Sequence, residues 1–578
     1  MNTIHLAASD YVVIGGYLVL VLWIGLWFRN RLVTVRDYFA GGNDIPWWMA
    51  GISHYMSSFS AFSFIAYAQM GYLYGFTAIT MFWATVPACI AGALIFARRW
   101  RRARVVTPIQ FVETRYNSAL RQLFAWAGIP MKVFDDALKI FATGLFLSVA
   151  INIPLWSAIL LCCVVMILYT FFGGLWALVI TDYIQFLMKT LALLLLFPLA
   201  LHAAGGITNS FTHLPAGAMR PLSGPYTWLY FAGFTMMVVI NYNGSWSLAQ
   251  KYYSVPNEDQ ASKAAWFSAI LHFVGAPLMI LPAILARNII PGLIESGNTA
   301  DTYILLVMRL LPAGMVGIVL AAMFSATMAT VSGDFNAIAG VLTQDVYRRL
   351  LSPDATEPHL VVVGRLFTLV LGTLTTLLSL WIGWTHQASL FNMMVTVLGL
   401  FLSPTLLPLL LGLTVRNINA RGALCGFLAG LITGSAMLAL KAIHPSITTA
   451  FGSTYNYEGL TLILNTAATL AGLFLGSRLS QSSSDEQHRT EDFFILLATP
   501  IKESELVGQT SNPAIGMLGT ATMGVGALLL VAGIISSSTV ARLLDCIIGL
   551  LLALIGFLLN RASCRPRKIH QEKMQAAG

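Results

Sequence analysis

Residues 54–71 read HYMSSFSAFSFIAYAQMG, and residues 236–250 read MMVVINYNGSWSLAQ. Both stretches are long and apolar, yet each is interrupted in its middle. The first carries Ser57, Ser58, Ser60 and Ser63; the second carries Asn241, Asn243, Gly244 and Ser245. A helix in hydrocarbon must satisfy its own backbone, so a break at membrane depth is tolerated only where it is buried in protein or lines a cavity. Serines alone also suit tight helix contacts. A second polar break at a matching place points instead to a carrier built from two inverted repeats, each opening with a discontinuous helix.

The surrounding composition agrees. Of 578 residues, 57% are hydrophobic and 10% charged, with a mean hydropathy of +0.75. Soluble domains carry roughly 25% charged residues. Apolar runs near the ~20 residues needed to cross a bilayer follow one another along the chain. They predict spans near 11–29, 47–71, 76–97, 123–151, 154–172, 176–203, 228–249 and 263–290. The later spans fall near 303–345, 359–384, 388–412, 420–442, 457–477, 514–536 and 541–560. The run at 303–345 is too long for one crossing and is expected to include a loop helix before the span. The two interrupted spans are the second and the seventh, five crossings apart, which sets their breaks in opposite orientation.

The net charge of +9 sits in short clusters between apolar runs, with no basic stripe on a soluble domain, so nucleic acid is not an expected partner. With the N-terminus outside, alternate loops hold Arg29/Arg31/Arg36, RRWRRAR (residues 98–104), Lys251/Lys263, Arg348/Arg349, Arg416/Arg421, Arg478/Arg489 and Arg565/Arg567/Lys568. The opposite loops hold little beyond Arg220 and Lys441. This asymmetry predicts fifteen crossings and a cytoplasmic C-terminus. The N-terminus lacks a signal-peptide pattern, so the first apolar run is expected to be a retained span. The polar stretch near 480–510 is expected to be a mobile cytoplasmic linker.

The expected architecture is therefore an all-α polytopic membrane protein with a ten-helix inverted-repeat core. Residues 1–36 would form a leading helix and loop, 37–203 the first repeat, 204–416 the second, and 417–578 additional helices. Six scattered cysteines, Cys89, Cys162, Cys163, Cys425, Cys546 and Cys564, include no CxxC pair. The ten histidines form no HExxH or triad-like set that an embedded enzyme would need, and neither a pore ring nor a signalling domain marks a channel or sensor. A secondary transporter of a small polar solute is the expected function, with no cofactor.

Four stretches resemble the sodium:solute symporter family: DYFAGGNDIPWWMAGIS (37–53), YTFFGGLWALVITDYIQ (169–185), QKYYSVPNEDQASKA (250–264) and AAMFSATMATVSGDFNAIAGVLTQDVYRR (321–349). The similarity runs from about Asp37 to Arg421 and implies a LeuT-like fold, with sodium as coupling ion. It further implies a sodium site between the first and eighth core helices, at Met56, Phe59, Ala326, Ala329 and Thr330. Position 329 is Ala where the family commonly has Ser, which leaves proton coupling as the alternative. Asp182 and Ser332 match a second ion site or an ion exit, although Gly333 stands where another hydroxyl is often found. From the residues alone, Asp182 could equally start a helix at the interface.

The sugar carriers of that family hold a sugar with Gln, Glu and Lys at positions matched here by Ser63, Phe82 and His272. Phe cannot accept sugar hydroxyls, so the resemblance implies a reshaped pocket. The candidate solute contacts are Ser60, Ser63, Phe82, Asn241, Tyr242 and His272, with Tyr242 or Trp246 as an aromatic gate. Span 4 carries Lys132, Asp135, Asp136 and Lys139. The i,i+4 spacing lets Asp135–Lys139 and Lys132–Asp136 neutralise each other. A lysine left free would bind a carboxylate, Lys139 being the candidate, and would favour sialic acid or another sugar acid over a neutral sugar; other organic anions and amino acids also stay open. The partners implied are the bilayer, sodium and the solute, and one chain contains all that such a carrier needs.

Overall fold

The described residues of the computed structural model are 6–29, 34–212, 214–312, 315–385, 390–505, 511–536 and 538–563, and among them there are helices but no strand. Arg31, Cys564, Arg565, Arg567 and Lys568 lie outside them. Among the described residues, ten helices are long and apolar enough to cross a membrane. The expected fifteen are not reached by that measure, for physical reasons. The second and seventh spans are broken, and the fourth carries four charges. The fifth and sixth run together in one helix of 49 residues.

The elements that build the site are α1 (Ala8–Phe28), α2 (Trp47–Met56), α3 (Ala61–Tyr74), α4 (Ser118–Ile151) and α5 (Leu155–Ala203). They are followed by α6 (Trp228–Gly244), α7 (Trp246–Tyr253), α8 (Glu258–Ile289), α9 (Thr302–Leu310) and α10 (Val316–Val341). The long 303–345 run does divide as its length demanded. Helix α9 precedes the span, and Leu311 is extended between them. Within α5 the regular ladder is interrupted at Gly174, with φ 52° and ψ −161°. A side chain there would be strained, so the FGGLW sequence supplies the elbow that joins two crossings.

Helix α10 occupies the centre: all 26 of its residues are buried. That explains how it carries Ser, Thr, Asp and Asn in a membrane, because no side of it meets lipid. By contrast, Thr539–Ser563 at the periphery exposes Val540, Leu543, Ile547 and Leu550. Helices α2 and α8 approach closely at Gly51, where a Cβ would meet the Ala264 carbonyl oxygen at 2.9 Å. Small residues at such contacts replace the hydrophobic driving force that lipid cannot supply.

The loops expected on one side of the membrane hold one another. Arg101 donates to the Val255 and Pro256 carbonyls at 2.6 and 2.8 Å. Arg102 pairs with Glu258 at 2.9 Å, Arg349 pairs with Glu113, and Arg365 donates to the Arg29 carbonyl at 2.9 Å. Lys251, counted among the loop charges, is instead fully buried in α7.

The stretch expected to be a mobile linker is helical over α11 (Ser484–Ala498). Its Phe493, Phe494 and Leu497 are buried, and Arg104 reaches the Thr499 and Pro500 carbonyls and Glu505 beyond it. The Arg104 guanidinium hydrogen-bonds Glu505 and holds its carboxyl down at about 2, below the usual carboxylate range. Polar composition suggested a loop, but three apolar residues at helical spacing and a cap at Ser483 make a docked helix.

Candidate functional site

Between α2 and α3 the chain Ser57–Ser60 leaves the helix. Ser58 donates its hydroxyl to the Tyr55 carbonyl at 2.6 Å, competing with the backbone ladder. The freed amide of Ala61, at the start of α3, donates across to Thr327 Oγ1 on α10 at 2.8 Å. Thr327 in turn contacts Thr143 of α4 at 2.7 Å. The break is thus held by hydroxyls from two other helices. The second break is tighter: α6 ends at Gly244, Ser245 is extended, and α7 begins at Trp246. Asn243 fixes it by donating to the Ala88 and Val239 carbonyls at 3.0 and 2.9 Å.

At the first break, Thr330 donates its hydroxyl to the Phe59 carbonyl, and it lies 3.3 Å from the Ala326 carbonyl. Three of the five expected sodium-ligand positions therefore bring oxygens together. The Met56 carbonyl accepts from the Phe59 amide at 3.0 Å. Ala329 is buried and offers no hydroxyl. Oxygen donors of this kind suit a hard cation.

Asp182 lies inside α5, buried at 1% exposure, so it does not cap a helix at the interface. One of its oxygens accepts from Ser53 of α2, and the other has no hydrogen-bond partner among the described residues. Ser332 is engaged separately, by Tyr169 and the Met328 carbonyl.

A cavity of about 150 Å³ opens beside both breaks. Ser60, Ser63, Phe82, Asn241, Tyr242 and Lys139 line it, together with Phe59 and Thr330. His272 does not. It is fully buried behind the wall, where Nδ1 donates to the Ser268 carbonyl at 2.8 Å. Its Nε2 lies 2.9 Å from Ser58 Oγ and 3.4 Å from the Tyr242 hydroxyl. His272 positions two cavity residues and is not itself a wall. Trp246 is likewise buried outside the lining, near Gly128, so of the two expected gate residues Tyr242 is the one at the cavity.

The charges of span 4 are shared between helices. Lys139 pairs with Asp135 at 2.7 Å and Asp136 at 3.3 Å, and lies 3.6 Å from Asp334 of α10. Lys132 does not form the expected pair with Asp136; its ion-pair partner is Asp334, at 3.2 Å. Lys132, Asp135 and Asp334 all reach the cavity. Asp334 was missed in the sequence although an acid inside a span is a functional candidate by default. Lys189, alone in the apolar run LMKTLALLLL, gave the same signal.

Comparison with known proteins adds a consistent picture. The sodium:solute symporter family matches residues 38–430. The chain is 27% identical to a sodium/mannose cotransporter of Bos taurus, over 76% of this chain and 81% of the relative. It is 25% identical to the sodium/sialic acid symporter NanT of Aliivibrio fischeri, over 73% of this chain and 86% of the relative. The solved structure of a substrate-bound, outward-open Na+-coupled sialic acid symporter matches with a TM-score of 0.70 at 21% identity. That match covers 83% of this chain and 99% of the other. With its LeuT-like helical fold, its multiple membrane-spanning helices and a family match over most of its length, the chain belongs to the sodium:solute symporter family, whose members carry small solutes together with sodium.

Proposed function

We propose that this symporter takes up an uncharged, polyhydroxylated solute of the sugar or polyol class. The observation that carries this reading is the state of the cavity lysines. A sugar acid would need a free cation, and Lys132 and Lys139 are both engaged by carboxylates. Ser60, Ser63 and Asn241 offer donors and acceptors, while Phe59, Phe82 and Tyr242 offer aromatic faces. The volume of about 150 Å³ is well below the roughly 300–1,000 Å³ of pockets for drug-sized ligands, in keeping with a small solute.

We read Met56, Phe59, Ala326, Ala329 and Thr330 as the sodium site, and Asp182 with Ser332 as a second ion site or exit. The inverted repeats at 37–203 and 204–416, an N-terminus outside and a cytoplasmic C-terminus belong to the same reading. The mutual contacts of the basic loops support it. We also read the chain as a carrier without enzymatic activity, with a single chain sufficient for transport in a cell membrane.

Uptake into proteoliposomes tests the solute class. Labelled mannose, glucose, myo-inositol and sialic acid are offered with an inward sodium gradient, then with potassium in place of sodium. Sodium-dependent uptake of a neutral sugar or polyol is expected. Sialic acid as the sole transported solute would overturn the neutral-solute reading.

A further inference from the structure

At one boundary of the membrane the span Thr77–Arg102 changes character within about a turn. Leu94 and Ile95 are 66% and 44% exposed, as befits a face that meets lipid, and Arg98 and Arg99 follow them. These four residues, with Arg102, line one side of an open cavity of about 520 Å³. The other side comes from distant parts of the chain. Arg416 belongs to the loop after the helix Leu390–Gly412, and Phe494 and Leu497 belong to α11. None of these residues lines the solute cavity.

The basic side chains are held in place, but only half of them are neutralised. Arg102 pairs with Glu258 at 2.9 Å and donates to the Leu497 carbonyl at 3.3 Å. Arg98 pairs with Asp259 at 3.1 Å. Arg99 and Arg416 have no ion-pair partner among the described residues. The Arg416 guanidinium lies 5.1 Å from the centroid of the Phe494 ring, and its backbone carbonyl accepts from Arg115 at 3.1 Å. Helix α11 thus supplies the ring that supports one unmatched guanidinium. Arginine stays charged, and its planar fork matches the oxygens of a phosphate. A free phosphate would have no use for Leu94 and Ile95, exposed on the membrane side of the arginines. A phospholipid puts its headgroup at the level of the arginines and its acyl chains against the span, and basic pockets between spanning helices suit anionic headgroups.

We propose that this cavity binds the headgroup of an anionic glycerophospholipid. Arg99 and Arg416 take the phosphate oxygens, Arg98 and Arg102 flank them, and Leu94 and Ile95 carry the start of an acyl chain. The bound lipid bridges the span Thr77–Arg102 and α11, and so ties the docked helix to the bilayer.

The test uses the purified full-length protein in a neutral detergent. Its thermal unfolding midpoint is followed while phosphatidylglycerol, phosphatidylcholine, glycerol phosphate or inorganic phosphate is added. Phosphatidylglycerol should raise the midpoint saturably, and the other three should not match it. The double variant Arg99→Gln/Arg416→Gln should need roughly twentyfold more phosphatidylglycerol for half of the shift. If that variant does not fold, Arg99→Gln and Arg416→Gln are titrated singly, each expected to be about fivefold weaker than the wild type. A control, Arg478→Gln/Arg561→Gln, removes equal charge from the ends of two other helices and should titrate as the wild type does. No shift with phosphatidylglycerol, or an equal shift with phosphatidylcholine, overturns the proposal. So does a full shift with glycerol phosphate or inorganic phosphate, which would make the cavity a site for soluble phosphate. An unchanged titration in the Arg99 and Arg416 variants, or an equal loss in the control, also overturns it.

Discussion

The hydroxyl of Thr330 meets the backbone carbonyl of Phe59 across 271 residues of sequence. It joins the central helix α10 to the break after α2, and it does so at a carbonyl freed from its helix. Thr330→Ala removes one oxygen from this group. Losing a polar contact to a charged species costs about 1.5–3 kcal/mol, so the sodium concentration for half-maximal uptake should rise roughly tenfold to a hundredfold. Thr330→Ser should stay near wild type. Sodium titration of uptake in proteoliposomes measures both; an unchanged value in Thr330→Ala would remove Thr330 from the site.

Ala329 offers the opposite experiment. It stands one residue before Thr330 and is buried with no hydroxyl to give. Ala329→Ser adds an oxygen at small steric cost. Sodium should bind several-fold more tightly, equivalent to about 1 kcal/mol. Weaker binding in this variant would argue that the position packs and does not coordinate.

Asp334 is the ion-pair partner of Lys132. Asp334→Asn leaves that ammonium buried without its anion, a change that costs about 3–5 kcal/mol. The variant should lose thermal stability in detergent and lose uptake. Adding Lys132→Met removes the stranded charge and should restore most of the stability. Equal stability of the single and double variants would show that the pair is not coupled.

The cap formed by α11 carries a pH dependence whose sign is fixed. Arg104 depresses the Glu505 carboxyl to about 2 in the folded protein. Its contribution is therefore present above the ordinary carboxylate range and is lost as pH falls toward about 2. The pair is partly exposed, so Glu505→Gln should cost less than about 1 kcal/mol. Hydrogen exchange of residues 484–498 should quicken slightly at neutral pH and match the wild type under strongly acidic conditions. A difference between the two that grows on acidification would contradict the assignment.

Much of this arrangement could be read in advance because the physics is local. A membrane-spanning helix announces itself by length, and a break by polar residues where none are affordable. The partners of charges could not be read so. The i,i+4 rule pairs Lys132 with Asp136 because it sees only one helix, whereas the real partner stands 202 positions away on α10. Position along a chain did not show that His272 would sit behind the wall while Tyr242 lined it. The docked α11 was hidden because only Phe493, Phe494 and Leu497 bury, too few to outweigh a polar composition.

Helix α10 has no lipid-facing side, and its hydroxyls, amide and carboxylate are spread around its circumference. During synthesis it must nevertheless leave the insertion machinery before every neighbour that will shelter it has been made, since the following spans come later in the chain. Biogenesis favours replacing Ser325, Thr327, Ser332 and Asp334 with leucine or valine, while packing needs the contacts that Thr327 makes to Ala61 and Asp334 to Lys132. The sequence of α10 is a settlement between those two demands, and substitutions that make it easier to insert should make it harder to assemble.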